Sequence, residues 1–164
     1  MTSNDTHEIA RTQFVRVGDV RFAYRRFGRR GGLPLLFLNY FAANMDDWDP
    51  KVTNGFAAEH EVILFDNAGV GSSTGDTPST VPAMTKDCVD FCRALDLKRF
   101  DVVGFSLGGM IAQQLGFEYP RHGPADDPDG DGPAWWRRND LHRALDRPVG
   151  RSSGSAHVRI LHSE

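Results

Sequence analysis

Apolar and polar positions alternate between two rhythms along the first two thirds of the chain. Phe14-Val15-Arg16-Val17 and Val20-Arg21-Phe22-Ala23-Tyr24 flank Gly18-Asp19, a pattern that predicts an antiparallel hairpin. Leu35-Leu36-Phe37-Leu38, Val62-Ile63-Leu64-Phe65 and Val102-Val103-Gly104-Phe105 are short, unbroken apolar runs, as suits strands covered on both faces. Between them, Val81, Met84, Cys88, Phe91, Cys92 and Leu95 recur at helical spacing, and Asp49 to Ala58 reads as a shorter helix. Strands alternating with helices predict an α/β fold with a mostly parallel sheet, and ligands at the carboxyl ends of its strands.

At Arg121 this rhythm stops. Residues 121–164 hold six of Val, Ile, Leu, Met or Phe, no lysine, and clusters such as Asp126-Asp127-Pro128-Asp129-Gly130-Asp131-Gly132-Pro133. Such a composition predicts an irregular or disordered tail. The division expected is therefore a tail over 1–12, a folded unit over 13–120 and an irregular segment over 121–164. A strand at 102–105 that ends the sheet leaves an edge of unpaired backbone groups and wet apolar surface, which predicts a marginally stable or insoluble product. A sharp, reversible thermal transition of the purified monomer would contradict that.

The remaining composition narrows the classes of function. A net charge of -3 over 164 residues gives no reason to expect nucleic acid or an anionic membrane as partner. The start, Met1-Thr2-Ser3-Asn4-Asp5-Thr6-His7-Glu8, lacks a basic stretch followed by an apolar core, so a cytoplasmic protein is expected. The two cysteines, Cys88 and Cys92, lie four apart on one predicted helix and are read as reduced core thiols rather than a metal or redox pair. No cofactor or metal is expected. The opening of a calcium loop suggested by Asp127, Asp129, Asp131 and Gly132 has Arg138 where the bidentate glutamate belongs. Trp135-Trp136-Arg137-Arg138 stands among aspartates rather than in a basic patch. Gly69-Val70-Gly71-Ser72-Ser73-Thr74-Gly75 lacks the lysine of a phosphate-binding loop.

The chemistry-bearing motif is Gly104-Phe105-Ser106-Leu107-Gly108, which follows the apolar run ending at Val103 and opens the helical stretch Met110 to Leu115. A serine at a sharp strand-to-helix turn projects its hydroxyl out of the backbone, and small residues two positions either side let strand and helix crowd together. The helix beneath supplies free N–H groups and positive potential for a developing oxyanion. The alternative is a small residue at a tight turn without a catalytic role. Trp48 and Met110 are read as core, with a place in the pocket as the other possibility.

Taken together, residues 13–120 resemble the N-terminal half of an α/β-hydrolase-fold protein of the serine esterase, lipase and cofactor-free haloperoxidase kind. The elbow agrees fully. Asp66-Asn67-Ala68-Gly69-Val70-Gly71-Ser72-Ser73 resembles the family's D-x-R-G-x-G-x-S loop, with Ala68 in place of arginine. Leu38 to Trp48 occupies the position of the H-G-x-x loop, with Asn39 and Tyr40 where histidine and glycine are usual. The resemblance implies Ser106 as nucleophile, Gly104 and Gly108 as the elbow's small residues, and the backbone N–H groups of Phe41 and Leu107 as oxyanion donors. Loss of the glycine at Tyr40 puts that loop's close approach in question. A serine nucleophile points away from relatives in which aspartate attacks, and implies acyl transfer from a small ester, thioester or lactone, to water or peroxide.

In this family the order is Ser, then Asp or Glu, then His. Ser106, Asp131 and His157 satisfy that order, but no strand-helix unit after Pro120 presents the last two, and geometry rather than order defines a triad. The resemblance thus implies an enzyme, whereas the chain as written is expected to be truncated and catalytically impaired, a non-catalytic binding protein, or a product without function. Subunit number is not legible. A one-base frameshift near the Pro120 codon is a further hypothesis: synonymous codons for His122 to Leu145, shifted by one base, can encode M-V-R-R-M-I-L-T-G-T-G-P-R-G-G-D-G-T-T-F-T-E-L-S, which resembles the family's next strand and exit loop. Early stops in that frame of the coding DNA would refute it.

Overall fold

Strand formation in the computed structural model, which describes residues 5–119, follows the apolar runs. The elements are β1 (Gln13–Val17), β2 (Val20–Gly28), β3 (Leu35–Leu38), a single 3-10 turn (Met45–Asp47), α1 (Pro50–Ala57), β4 (Glu61–Phe65), α2 (Val81–Ala94), β5 (Asp101–Gly104) and α3 (Leu107–Glu118). They build a five-stranded mixed sheet in the order β1-β2-β4-β3-β5. The hairpin β1-β2 joins β4 antiparallel, and β4, β3 and β5 run parallel. Among the described residues β5 forms one edge.

Unbroken apolar runs are required because both faces of the central strands are covered. Leu36, Leu38, Ile63, Phe65 and Val102 point into one buried cluster with α2 and α3, while Leu35, Phe37, Val62, Leu64 and Val103 point into a second with Met45, Trp48 and Phe56. In the first cluster Phe91 of α2 stacks on Phe65 at 4.5 Å and meets Phe22 edge-on at 5.8 Å. Cys88 and Cys92 are free and buried in the same cluster, and burial pushes the Cys92 thiol well up. Both thiols are packing groups.

Local signals set the helix ends. Asp49 accepts the Lys51 N–H ahead of Pro50, and Thr80 accepts the Ala83 N–H ahead of Pro82, so each helix starts with a side-chain cap and a proline inside its first turn. The last strand lies one residue earlier than the apolar run suggests, from Asp101 to Gly104. Gly104 ends it, and Phe105 belongs to the turn into α3.

One anchorage had no sequence signal. His7 is buried; its N–H donates to Asn54 Oδ1 at 2.8 Å and its Nδ1 lies 2.8 Å from Thr53 Oγ1. The ring also packs 5.9 Å from that of Phe27. These contacts fasten the segment ahead of β1 to α1. No helix among the described residues is long and apolar enough to cross a membrane.

Candidate active site

Parallel pairing of β4, β3 and β5 places the carboxyl ends of all three at one rim of the sheet, with Leu38 opposite Gly104. Three loops leave that rim: one after Leu38, one after Phe65 and the two-residue turn Phe105-Ser106. The candidate chemistry lies where they meet.

Ser106 stands at the N-cap of α3 with φ 53° and ψ -114°, and its side chain is exposed and makes no capping bond. A non-glycine residue outside the α and β wells is strained by about 1–3 kcal/mol and persists only where its surroundings enforce it. The surroundings here are the backbone of α3 and β3. A Cβ on Gly104 would stand 2.6 Å from the Gly108 carbonyl carbon, and one on Gly108 would overlap the Leu38 carbonyl oxygen and lie 2.5 Å from its carbon. Two glycines therefore let the helix sit directly on the ends of β5 and β3, and the turn between has no room for a relaxed residue.

Phe105 donates its N–H to the Leu38 carbonyl at 3.3 Å, and its ring meets Tyr40 edge-on at 5.5 Å. Tyr40 keeps a negative φ; the left-handed residue of this loop is Ala42, at φ 59°. The glycine that the resemblance led us to expect at position 40 is thus not needed for backbone freedom in this chain. Among the described residues no acceptor is found for the N–H groups of Phe41 or Leu107, which leaves both available to an oxyanion. Leu107 opens α3, where the helix dipole adds positive potential.

Two buried polar residues hold this loop. The Asn39 amide donates to the carbonyls of Phe65 at 3.0 Å and Ala43 at 3.3 Å, and its oxygen accepts Trp48 Nε1–H. Asp66 accepts the Met45 N–H at 2.7 Å through one oxygen and the Ser72 N–H at 2.8 Å through the other. Burial raises its carboxyl above the ordinary range, partly opposed by those two hydrogen bonds. Gly71, at φ 54°, has no room for a side chain because a Cβ would lie 2.7 Å from Asp66 Cγ. Ser73 completes the motif by donating to the Asp66 carbonyl and accepting the Ala23 N–H. The Asp66 to Ser73 stretch is a clamp between loops and holds no phosphate-binding lysine.

Sequence reasoning singled out Ser106, Gly104, Gly108, Phe41 and Leu107, and all five lie on the loops and helix start at this rim. Asp131 and His157 lie outside the described residues, as do Asp127, Asp129 and Trp135-Trp136. Trp48 packs in the second core cluster, 5.0 Å from the Phe37 ring, whereas Met110 is exposed rather than core. Among the described residues Ser106 has no hydrogen-bonded base. Of the described histidines, His7 is engaged with Thr53 and His60 sits next to the start of β4, at the opposite rim. No group of three or more metal-ligating side chains occurs among the described residues.

Residues 34–123 match the family model described as alpha/beta hydrolase fold. Among solved structures, an alpha/beta hydrolase fold protein from Chitinophaga pinensis superposes with a TM-score of 0.68 at 44% identity, over 70% of this chain and 42% of that one. A poly(3-hydroxyalkanoate) depolymerase of Ectopseudomonas oleovorans is 38% identical over 88 residues, 53% of this chain and 31% of its own length. RutD of Azorhizobium caulinodans, named for carbamate hydrolysis, is 31% identical over 104 residues, 63% of this chain and 38% of its own. The chain spans less than half the length of each of these three relatives.

Proposed function

Because the chain belongs to the alpha/beta hydrolase fold family, we propose that it carries the nucleophile and oxyanion half of a serine acyl hydrolase acting on a small ester, thioester or lactone. The observation that carries this reading is the strained, exposed Ser106, wedged between Gly104 and Gly108 at the start of a helix. Its Oγ attacks the carbonyl carbon and the carbonyl π electrons move to oxygen. The N–H groups of Phe41 and Leu107 then receive that charge; losing one such donor costs about 10²–10³ in rate in a serine protease. Collapse of the intermediate breaks the acyl C–O or C–S bond, and the proton taken from Ser106 passes to the departing alcohol or thiol, which in a lactone stays tethered to the acyl chain. Water then hydrolyses the acyl ester to regenerate the Ser106 hydroxyl. Relatives named for polyester depolymerisation and carbamate hydrolysis support attack on an acyl carbon.

The proton leaving Ser106 needs a base, and none is bonded to it among residues 5–119. Asp131 and His157 stand in the family's chain order and are the proposed partners within this sequence. Without them a serine hydroxyl is a weak nucleophile at neutral pH, with losses of about 10⁴–10⁶ in rate judged by serine proteases. Turnover by this chain therefore depends on whether Asp131 and His157 reach Ser106. The lack of a base bonded to Ser106 among residues 5–119 also favours a second reading, a non-catalytic protein that holds an acyl ligand at the same rim.

A serine-reactive aryl phosphonate separates the two. Stoichiometric labelling of the folded chain, abolished in Ser106→Ala, supports the nucleophile; a folded chain that stays unlabelled supports binding alone. The frameshift hypothesis is tested by sequencing the coding DNA across the Pro120 codon. An open alternative frame encoding V-R-R-M-I-L-T-G-T-G-P supports it, and early stops there end it.

A further inference from the structure

We infer that the segment ahead of β1, residues 6–12, is a strap that sets the position of the oxyanion loop, with His7 and Thr12 as its positioning residues. This rests on the reading of Ser106 as nucleophile and of the Phe41 N–H as oxyanion donor. The strap meets the Met45–Asp47 turn, which follows that loop, in three ways. The Met45 carbonyl faces the buried His7 ring and favours a proton on it. Ala10 is buried in the same cluster as Met45. Thr12 accepts the Arg25 Nε–H at 3.2 Å, while Nη1 of the same guanidinium holds Asp46 at 2.6 Å.

The strap has an anchor of its own. His7 is fixed to α1 through Thr53 Oγ1 and Asn54 Oδ1, each at 2.8 Å, and Glu8 accepts the Asn54 amide at 3.1 Å. Met45 is thereby placed between the sheet and the strap: its N–H goes to Asp66 at 2.7 Å and its carbonyl faces His7. Successive hydrogen bonds lead from this turn back to Phe41. Asn44 forms a capping box with Asp47 and accepts the Asp46 N–H, and Ala43 donates its N–H to the Tyr40 carbonyl at 3.1 Å and accepts the Asn39 amide at 3.3 Å. A displaced turn therefore moves the peptide that carries the Phe41 N–H. Misplacing a reacting group by about 1 Å costs on the order of 10² in rate, even when the substitution is remote from the chemistry.

The test uses the full chain and ethyl p-nitrophenyl methylphosphonate over a range of concentrations. Labelling forms the Ser106 Oγ–P bond, breaks the P–O bond to p-nitrophenolate and releases the serine proton to solvent. Intact mass follows it, with Ser106→Ala as blank, and the concentration series separates the limiting rate constant from the half-saturating concentration. We expect His7→Ala to lower the limiting rate constant about 10- to 100-fold and to leave half-saturation unchanged. Hydrogen exchange across residues 39–47 should quicken in parallel. Thr12→Val, which removes only the hydroxyl that holds Arg25, should lower the limiting rate constant about two- to tenfold. Ile9→Ser, at a position of the strap that is 65% exposed, should label like the parent chain.

A strap that only adds stability would change the urea midpoint of these variants and leave the limiting rate constant of the folded chain untouched; that result overturns the inference and leaves the nucleophile standing. A change confined to half-saturation overturns it equally. Should His7→Ala not fold, Thr12→Val decides alone, and a parental limiting rate in that variant overturns the inference. A folded parent chain that is not labelled overturns both readings.

Discussion

Three glycines of one helix should respond to alanine with opposite signs. At Gly108 the added methyl group would overlap the Leu38 carbonyl oxygen and come 2.5 Å from the Leu38 carbonyl carbon and 2.9 Å from the Asn39 oxygen. Those atoms are backbone at and just after the end of β3, where Leu38 is paired with Gly104 and its carbonyl accepts the Phe105 N–H, so neither can rotate away as a side chain would. The helix must retreat instead. Overpacking a well-filled site costs about 1–3 kcal/mol, and with backbone on both sides we expect the upper end; helix propensity returns about 1 kcal/mol, for a net loss of about 2 kcal/mol. Gly109, by contrast, has its nearest neighbour at 3.7 Å, and Gly116 has none within 4 Å. Alanine at either should stabilise by about 0.5–1 kcal/mol, because glycine loses more freedom than alanine when a helix forms. Urea denaturation of the three variants measures these differences. Gly108→Ala should also slow phosphonate labelling, since a helix pushed off β3 separates the Leu107 N–H from that of Phe41. A Gly108→Ala variant within 0.5 kcal/mol of the parent chain, or a Gly109→Ala variant that loses as much as Gly108→Ala, would refute the packing argument.

Other substitutions probe the rest of the site. Ser106→Gly should be more stable than Ser106→Ala by about 1 kcal/mol, because glycine adopts the positive φ without strain; equal midpoints in urea would show that the turn is unstrained. Asn39→Leu strands the Trp48 indole N–H and the carbonyls of Phe65 and Ala43, for a loss of about 2–4 kcal/mol, with faster hydrogen exchange across residues 39–45; unchanged exchange would remove Asn39 as the loop's anchor. Asp66 holds its proton more tightly folded than at the ordinary value of 3.8, so its contribution is fully present below that value and is lost as pH rises through the folded pKa. The stability of the parent chain relative to Asp66→Asn should therefore grow on acidification from neutral pH, and a difference that shrinks would reverse the assignment.

Much of this was legible in the sequence because the relevant physics is local. Leu35 to Leu38 and Val62 to Phe65 are apolar on both alternations, so only a strand covered on both faces accommodates them. The elbow was legible for a similar reason: two glycines at fixed spacing from a serine state a steric requirement that holds wherever a strand turns sharply into a helix. What could not be read depends on contacts far apart in the chain. His7 meets Thr53 and Asn54 across more than forty residues, and nothing in its polar neighbourhood marks it for burial. Asn39 looked like a departure from a histidine, and its role appears only when the end of β4, Ala43 and Trp48 are brought around it. Tyr40 looked like a loss of backbone freedom, because the sequence does not show that Ala42 takes the left-handed conformation instead. Met110 matched a core rhythm, but α3 is apolar on more than its buried face, and spacing alone does not say which side meets water.

The clamps also determine what the phosphonate experiment can decide. Strain at Ser106 is maintained by the close approach of Gly104 to α3 and of Gly108 to the end of β3, the Phe41 loop by Asn39 and Trp48, and the following turn by Asp66 against Met45 and Ser72. Every one of these contacts lies within residues 5–119, so the proposed nucleophile and oxyanion donors sit on a turn and a loop that are held by contacts among the described residues. An activated phosphonate carries a good leaving group and places negative charge on oxygen where Phe41 and Leu107 would receive it. It therefore asks less of a base than ester turnover does. If the proposed half-site is correct, removing His157 should depress ester hydrolysis far more than phosphonate labelling, whereas Gly108→Ala should depress both. Equal losses from His157→Ala in the two assays would mean that the base, and not the crowded turn, is what makes Ser106 reactive.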